Sequence, residues 1–360
     1  MSTTTALPAA DNGTQVPATA APGTLRGDPR GRERAAWLLA AVVVLVLLTG
    51  TSLAVGARDV PPGTVWQALT AFDPLNGDHA VVHARIPRTV LGLLAGGALG
   101  LAGAAMQGVA RNPLADPGII GVNAGAALAV VAGIYLFGVT TFTGHIWFAF
   151  TGAAAAAIVV YLIASLGREG ATPVKLALAG AALSAGLSSL MNVILVSSQD
   201  TLDRFRFWQV GGIAGRDWSV LLPGLPFVAA GALVVLLAGR TLNSLALGDD
   251  VARGLGQRVG LSRAVVALGV VLLCGTATAL AGPIGFVGLV VPHAVRFLAG
   301  PDYRWILPLS LVAAPALLLG ADIVGRVVLL PGEIPAGIMT ALIGAPVFVW
   351  LVRRGKGAGL

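Results

Sequence analysis

The chain has 360 residues, of which 56% are hydrophobic and 11% are charged, and its mean hydropathy is +0.86. Soluble domains carry about 25% charged residues, so the composition excludes a soluble globular protein and favours a polytopic helical membrane protein. The formal net charge of +7 indicates a nucleic-acid partner only if it is concentrated on one surface, and the single cysteine, Cys274, excludes a disulfide framework.

The N-terminal segment differs in kind from the rest of the chain. Residues 1–34 are rich in Ala, Thr, Pro and Gly and show no periodicity, which predicts a disordered cytoplasmic tail. The apolar run 35–57 that follows has 23 residues, whereas the apolar core of a signal peptide has about 7–15. It therefore predicts a retained first membrane helix.

Charge-free apolar runs, divided at Pro and Gly breaks, predict ten membrane spans and an all-α fold. The spans are roughly 35–57, 89–110, 118–137, 145–166, 176–197, 219–239, 264–281, 284–299, 305–324 and 334–352. With the N-terminus inside, 16 of the 23 basic residues lie on the inner side and seven on the outer side. This asymmetry follows the positive-inside rule and predicts that both termini are cytoplasmic. We expect a membrane domain over 35–354 and a C-terminal tail over 355–360.

The second span is uncharged but holds six glycines. Gly92, Gly96 and Gly100 recur every four residues and predict a stripe for close helix packing. The turn that follows, 112–118, holds two prolines, so we expect it to be rigid and non-helical. A simple capping turn and the inner mouth of a pore both fit this turn.

The longest inner connection, 241–261, predicts a very short cytosolic helix. It would start at Gly248, carry two acidic residues in its first turn and end at Gly256. Val251 and Leu255 would share an apolar face at i,i+4 spacing. Such a face suits a soluble partner, and an ordinary ordered loop is the alternative.

No nucleotide-binding loop of the form G-x-x-x-x-G-K-[ST] occurs in the chain, so we expect ATP to be hydrolysed on a partner. Asp322 is the main candidate for ion coupling inside the membrane. Arg326 lies four residues later on the same helical face, which favours a mutual ion pair instead. We expect no enzymatic activity of the chain itself, no cofactor, no bound metal and no nucleic acid.

Three arginines on the predicted outer side are exceptions to the positive-inside rule, which indicates that positive charge has a functional role on that side. They are Arg85, Arg88 and Arg326. Contact with lipid phosphate is one interpretation, and an acidic partner surface is the other.

Several long motifs make the chain resemble one family. RIPRT, AGGALGLAGAAMQG, RNPLADPGIIGVNAGA, LNSLALGDDVARGLG and GPIGFVGLVVPHAVRFLAG occur in this order. They resemble the iron-siderophore/vitamin B12 permeases of ABC importers over residues 35–354. Within that family, AGGALGLAGAAMQ, RNPLADPG and FRFWQVGG look most like the ferric-enterobactin (catecholate siderophore) permeases.

The resemblance implies a ten-helix, type II ABC importer permease in the cell membrane. It would pair with a second permease subunit, identical or related, with two cytosolic ATP-binding subunits and with an extracytoplasmic siderophore-binding protein. The implied function is import of a ferric siderophore. Import of cobalamin or haem is the first alternative, and an ion-coupled secondary transporter the second.

The resemblance also assigns site residues. Arg85, Arg88 and Arg326 match residues that dock the binding protein. The cytoplasmic gate would be formed by Asn112, Pro113, Leu114, Asp116, Pro117 and Gly118. Coupling to the ATPase would fall to Leu245, Leu247, Gly248, Asp249, Asp250, Ala252, Leu255 and Gly256.

Overall fold

A computed structural model describes residues 29–139, 141–166 and 172–355. The α-helices of this part of the chain are α1 (Pro29–Ala54), α2 (Pro62–Thr70), α3 (Gly77–Ala110), α4 (Val122–Phe137), α5 (Phe142–Ser165), α6 (Pro173–Ser197), α7 (Gln199–Gln209), α8 (Trp218–Leu221), α9 (Leu225–Leu237), α10 (Gly239–Ala246), α11 (Asp249–Gly254), α12 (Val259–Ala281), α13 (Val287–Ala299), α14 (Tyr303–Val328) and α15 (Ala336–Gly355). Most of the predicted tail, residues 1–28, lies outside the described residues, as do 356–360, whereas 29–34 belong to α1.

A helix lies over each of the ten predicted apolar runs. By length and composition, seven helical stretches of the described chain could cross a membrane. These are Gly31–Ala54, Gly77–Ala110, Thr143–Ser165, Val174–Ser197, Trp218–Leu237, Val259–Ala281 and Tyr303–Val328. Three further apolar helices, at Val122–Phe137, Val287–Ala299 and Ala336–Leu351, are shorter than 18 residues.

Helix α3 begins earlier than the sequence predicts. Asn76 caps its first turn by accepting a hydrogen bond from the Asp78 N–H, and the helix then runs for 34 residues, or about 51 Å. Arg85 and Arg88 therefore lie within the helix and not in a loop before it. Hydropathy marks where the hydrocarbon begins, and a helix can continue beyond that point into the polar interface.

The glycine stripe packs α3 tightly against α14, as predicted. A Cβ atom on Gly96 would lie 2.5 Å from Pro315 Cα, and one on Gly100 would lie 2.6 Å from the Ser310 carbonyl oxygen. Only glycine permits backbones this close. Helix α3 is also the most buried of the long apolar helices, so it forms the centre of the described bundle.

The structure corrects two other segments. The sixth predicted span is not one uniform helix, because a 3₁₀ turn at Leu222–Gly224, with Pro223 in it, separates α8 from α9. The ninth is longer than predicted, because α14 runs through Asp322 to Val328 without a break. A charged residue ends a hydropathy run, but it leaves helical hydrogen bonding intact when its charge is paired.

Candidate functional site

Asp322 is the centre of an ion-pair cluster between α3 and α14, which we call the outer cluster. Both of its carboxylate oxygens accept hydrogen bonds from Arg88, at 3.1 Å from Nε and 2.8 Å from Nη2. Arg326, one turn further along α14, donates to the same carboxylate from Nε at 2.9 Å and also from Nη2. Asp322 and Arg326 form the i,i+4 pair that their spacing predicts, and each side chain is only 1% exposed.

Backbone and side-chain groups from α1 and the α14–α15 connection complete the outer cluster. Arg326 donates to the Ser52 carbonyl oxygen at 2.7 Å, and Arg88 donates to Glu333 at 2.7 Å. Arg85 donates to the carbonyl oxygens of Leu53 and Ala54, both at 2.9 Å. Such fully bonded charges can stay ionised away from water. The cluster therefore fastens the ends of α1, α3 and α14 to one another.

The sequence predicts that Arg85, Arg88 and Arg326 lie on the outer side and contact a partner. The structure places them close together, but Arg88 and Arg326 bind Asp322 within the chain. Arg326 is buried against α1 and Asp322, so it presents no surface in this conformation. Arg88 is 13% exposed and reaches Glu333, which is 35% exposed. Sequence spacing could not identify Glu333 as a partner, because it lies 245 residues from Arg88.

A cavity of about 240 Å³, lined in part by charged residues, adjoins the outer cluster. Arg88, Asp322, Glu333 and Arg216 line it together with residues 211–214 and 334–336. Burial lowers the pKa of Arg216 to about 10, so this side chain remains cationic at neutral pH. The cavity thus offers two guanidinium groups and two carboxylates at one end of the bundle.

The turn 112–118 lies at the opposite end of α3. It is non-helical over 112–116, as predicted, whereas Pro117 and Gly118 begin a 3₁₀ helix, which the sequence did not predict. Arg111 ends α3 in the left-handed conformation, at φ 49°. Asn112 Oδ1 accepts from the Leu114 N–H at 2.9 Å, and Asp116 Oδ1 accepts from the Gly118 N–H at 2.7 Å. Asp116 thereby caps a short 3₁₀ helix, Pro117–Ile120. Burial raises the pKa of Asp116, while the Gly118 N–H lowers it in part.

The connection 241–261 folds as two short helices, and the sequence predicted one. Helix α11 is the predicted one: it follows Gly248 and is followed by Leu255 and Gly256. Helix α10 precedes it and was missed, because it begins where the sixth apolar run ends and four of its eight residues are polar or charged. Leu245 and Ala252 are buried with Val259 in a small cluster, whereas three apolar side chains of the same segment are exposed. The exposed three are Leu247, Val251 and Leu255.

Asp249 joins this connection to the turn 112–118. Its Oδ1 atom accepts hydrogen bonds from Arg111 and, at 2.8 Å, from Arg263 Nη2. Partial burial alone would raise the pKa of Asp249, but Arg263 and then Arg111 outweigh it, so the pKa lies below its ordinary value. The carboxylate is therefore ionised at neutral pH. Sequence reasoning assigned Arg111 and Arg263 only to inner-side charge and missed this contact.

The predicted docking arginines and the predicted gate and coupling residues thus occupy opposite ends of α3. Arg88 and Arg111 are 23 residues apart on one helix, which corresponds to about 35 Å. Within the described residues no group of three or more His, Cys, Asp or Glu side chains is placed to hold a metal ion.

Comparisons with known proteins give a consistent result. Residues 42–354 match the FecCD transport family. The ferric enterobactin transport system permease protein FepD of Escherichia coli (strain K12) is 47% identical over 314 residues, which cover 87% of this chain and 93% of FepD. The probable siderophore transport system permease protein YfiZ of Bacillus subtilis (strain 168) is 43% identical over 321 residues, or 89% of this chain and 96% of YfiZ.

A solved structure has the same fold. It is described as an inward-facing conformation of a metal-chelate type ABC transporter, and it aligns with a TM-score of 0.77 at 30% identity. The alignment covers 88% of this chain and 98% of that one. Relatives whose names give haem or vitamin B12 as cargo match at lower identity, 36% and 35%.

Proposed function

The chain belongs to the FecCD transport family, and we propose that it is the membrane permease subunit of an ABC importer that carries a ferric siderophore across the cytoplasmic membrane. The observation that carries the proposal is the 47% identity to a ferric enterobactin permease along nearly the whole of both chains. Permease subunits of this family work with other ABC subunits and are not enzymes on their own. The ATP that drives transport is accordingly hydrolysed on partner subunits.

Cobalamin or haem is the alternative cargo, and it is the less favoured one. Relatives named for those cargoes are 35–36% identical, against 43–47% for the two siderophore permeases. The described residues contribute no metal-ligand group that would select iron itself. Selection would therefore rest on the shape of the whole chelate and on the protein that delivers it.

Cargo is tested by uptake in cells. Cells that lack the chain and cells that express it are compared for uptake of radioactive iron as catecholate, hydroxamate and citrate chelates, with haem and cobalamin as competitors. We expect the expressing cells to gain uptake of a siderophore chelate, with no inhibition by cobalamin or haem. Uptake of cobalamin or haem and of no iron chelate would assign the alternative.

The topology proposed is ten membrane crossings with both termini cytoplasmic. A helix over each of the ten apolar runs and the 16-to-seven distribution of basic residues support it. The position of the connection 241–261, which we call the coupling connection, supports it as well. Its residue Asp249 contacts Arg111 at the end of α3 that the charge pattern predicts to be cytoplasmic. The partners proposed are a second permease subunit, two ATP-binding subunits and an extracytoplasmic binding protein.

The mechanism proposed is alternating access between two such subunits. The exposed apolar side chains of Leu247, Val251 and Leu255 would contact the surface of an ATPase subunit. Closure of the two ATPase subunits on ATP would then move this part of the permease. The gate would be the turn 112–118, in which Asn112 and Asp116 each accept a hydrogen bond from a backbone N–H of the turn. A ferric chelate is too bulky for a small-ion site, so a wide path with few charges is expected along the bundle.

Docking of the binding protein is proposed at the outer cluster. Arg85 and Arg88 keep partial exposure there, and acidic side chains of the binding protein would meet them. Arg326 is buried, and we propose that it contributes by holding Asp322 and the end of α1 in place. Glu333 already forms an ion pair with Arg88, so a carboxylate of the binding protein would compete with Glu333 for that guanidinium group.

Removing the carboxylate of Glu333 is expected to strengthen docking. In Glu333→Gln the Arg88 guanidinium loses its exposed partner but keeps Asp322, so it becomes more available to an acidic partner. Exposed charges mainly set the rate of encounter, so we expect faster association of the binding protein at low salt and little change at high salt. Surface-binding kinetics with the purified permease complex measure this.

The matched control is Asp203→Asn, which changes the charge by the same amount at an exposed ion pair on α7. It should leave the association rate near that of the parent chain. Equal acceleration by both variants would mean that net charge alone is responsible. An unchanged or slower rate in Glu333→Gln would contradict docking at Arg88.

A further inference from the structure

Helix α11 begins with two neighbouring carboxylates in opposite settings. The Asp250 side chain is 99% exposed and pairs with Arg253 on the same helix. The Asp249 side chain is 28% exposed and turns back to the bundle, where it binds guanidinium groups from two other elements. The outward-facing parts of the coupling connection therefore include Asp250 but not Asp249.

Arg111 donates hydrogen bonds to the coupling connection at two points. Its Nε atom donates to the Leu245 carbonyl oxygen at the end of α10, at 2.6 Å, and its Nη2 atom donates to Asp249 at the start of α11. Arg111 is also the residue from which the turn 112–118 departs, in a left-handed backbone conformation. No other element intervenes between α11 and the beginning of that turn.

A glycine with a positive φ angle flanks α11 on each side. Gly248 has φ 116° and Gly256 has φ 81°, and a Cβ at either position would meet no atom within 4 Å. Both glycines therefore permit the sharp backbone turns that bound α11, and no neighbouring atom fills the space beside either of them. Its apolar attachment is small, since the buried cluster beneath it consists of Leu245, Ala252 and Val259.

Arg263 gives the other side of this contact a fixed anchor. It lies in the first turns of α12, its side chain is 6% exposed, and it donates to the same Asp249 oxygen at 2.8 Å. The Asp249 Oδ1 atom therefore joins α11 to the long helix α12 and to Arg111, the residue that precedes the turn 112–118.

We propose that Arg111 and Asp249 are positioning residues that transmit movement of α11 to the turn 112–118, with Arg263 as the pivot on α12. Asp249 thus acts inside the permease and does not contact the ATPase. The inference rests on the proposed function, because it assumes that an ATPase moves α11 and that the turn gates the path. It adds the specific ionic connection through which the movement passes.

The test measures uptake and ATP hydrolysis in the same proteoliposomes, with the complete importer and its binding protein. Asp249→Asn keeps the size of the side chain and removes the charge. We expect at least about a tenfold fall in chelate imported per ATP, while the ATPase subunits still co-purify and still hydrolyse ATP. Asp249→Glu, which keeps the charge, should restore most of the ratio, a rescue that a merely packing role would not produce.

A double-mutant cycle tests whether the two residues act as one unit. Arg111→Gln should lower the ratio like Asp249→Asn, and the double variant should be no worse than either single one, because each single variant already breaks the ion pair that the two residues share. Additive losses would overturn the proposal. Loss of ATPase binding in Asp249→Asn would also overturn it, since that would place Asp249 at the partner surface.

Glu33→Gln is the matched control, because Glu33 is an exposed carboxylate on α1, away from both the turn and the coupling connection. It should keep the parental ratio. An unchanged ratio in Asp249→Asn, with an importing parent, would refute the connection and leave the proposed function intact. A parent that imports nothing with ATP would instead refute the proposed function.

Discussion

Replacing Leu247 and Leu255 with aspartate is expected to abolish uptake by separating the permease from its ATPase. These side chains are 65% and 62% exposed; Leu255 follows α11 at i,i+4 spacing from the exposed Val251, and Leu247 lies just before the Gly248 turn that precedes α11. Exposed apolar side chains at the end of the bundle proposed to be cytoplasmic are available to a soluble partner. Charges placed in such an interface lose their hydration without gaining partners.

The expected size of this effect is large. Central apolar residues of an interface contribute about 2 kcal/mol or more each, so the double variant should bind the ATPase at least about 100-fold more weakly. Co-purification of the ATPase and uptake in proteoliposomes measure the loss. Leu75→Asp serves as the control, because Leu75 is 94% exposed in the connection before α3. Normal co-purification of Leu247→Asp/Leu255→Asp would contradict the coupling assignment.

Removing the charge of Asp322 destabilises the protein before it alters transport. Asp322→Asn leaves two guanidinium groups, Arg88 and Arg326, facing a neutral amide in a buried site. Breaking a buried ion pair by removing one partner costs about 3–5 kcal/mol, because the remaining charge stays unpaired. We therefore expect a clear fall in the thermal unfolding temperature in detergent and a lower folded yield.

This variant also separates an importer driven by ATP from an ion-coupled transporter. Asparagine mimics a protonated aspartate, so a proton carrier at position 322 would lose transport with little loss of stability. Asp203→Asn, at an exposed pair on α7, should change unfolding by less than about 1 kcal/mol. Parental stability of Asp322→Asn with a lost response to a proton gradient would contradict the structural assignment.

Much of the fold could be predicted because long charge-free apolar runs identify the segments that can form membrane helices. Each charge-free run carries a helix, and the glycine stripe at 92, 96 and 100 packs where its period requires. Helix ends were less predictable, since Arg85 and Arg88 end the hydropathy run while α3 continues back to Gly77. Charge sets the limit of the hydrocarbon, and a cap such as Asn76 sets the limit of the helix.

The sites were predictable only as local segments. Local spacing predicted the Asp322–Arg326 pair, the start of α11 and the rigid turn after Arg111. The contacts that join these segments span long distances in sequence, such as 138 residues between Arg111 and Asp249. No period or propensity encodes such a contact, because it arises only when several helices have packed.

The driving force of uptake tests the central claim most directly. Proteoliposomes that contain the chain with its partner subunits are loaded with ATP and given the chelate with its binding protein, and they are compared with ATP-free vesicles under a proton gradient. The account predicts uptake of the ferric siderophore with ATP and none with the gradient alone. Uptake that persists without the ATPase subunits, driven by the proton gradient, would contradict it.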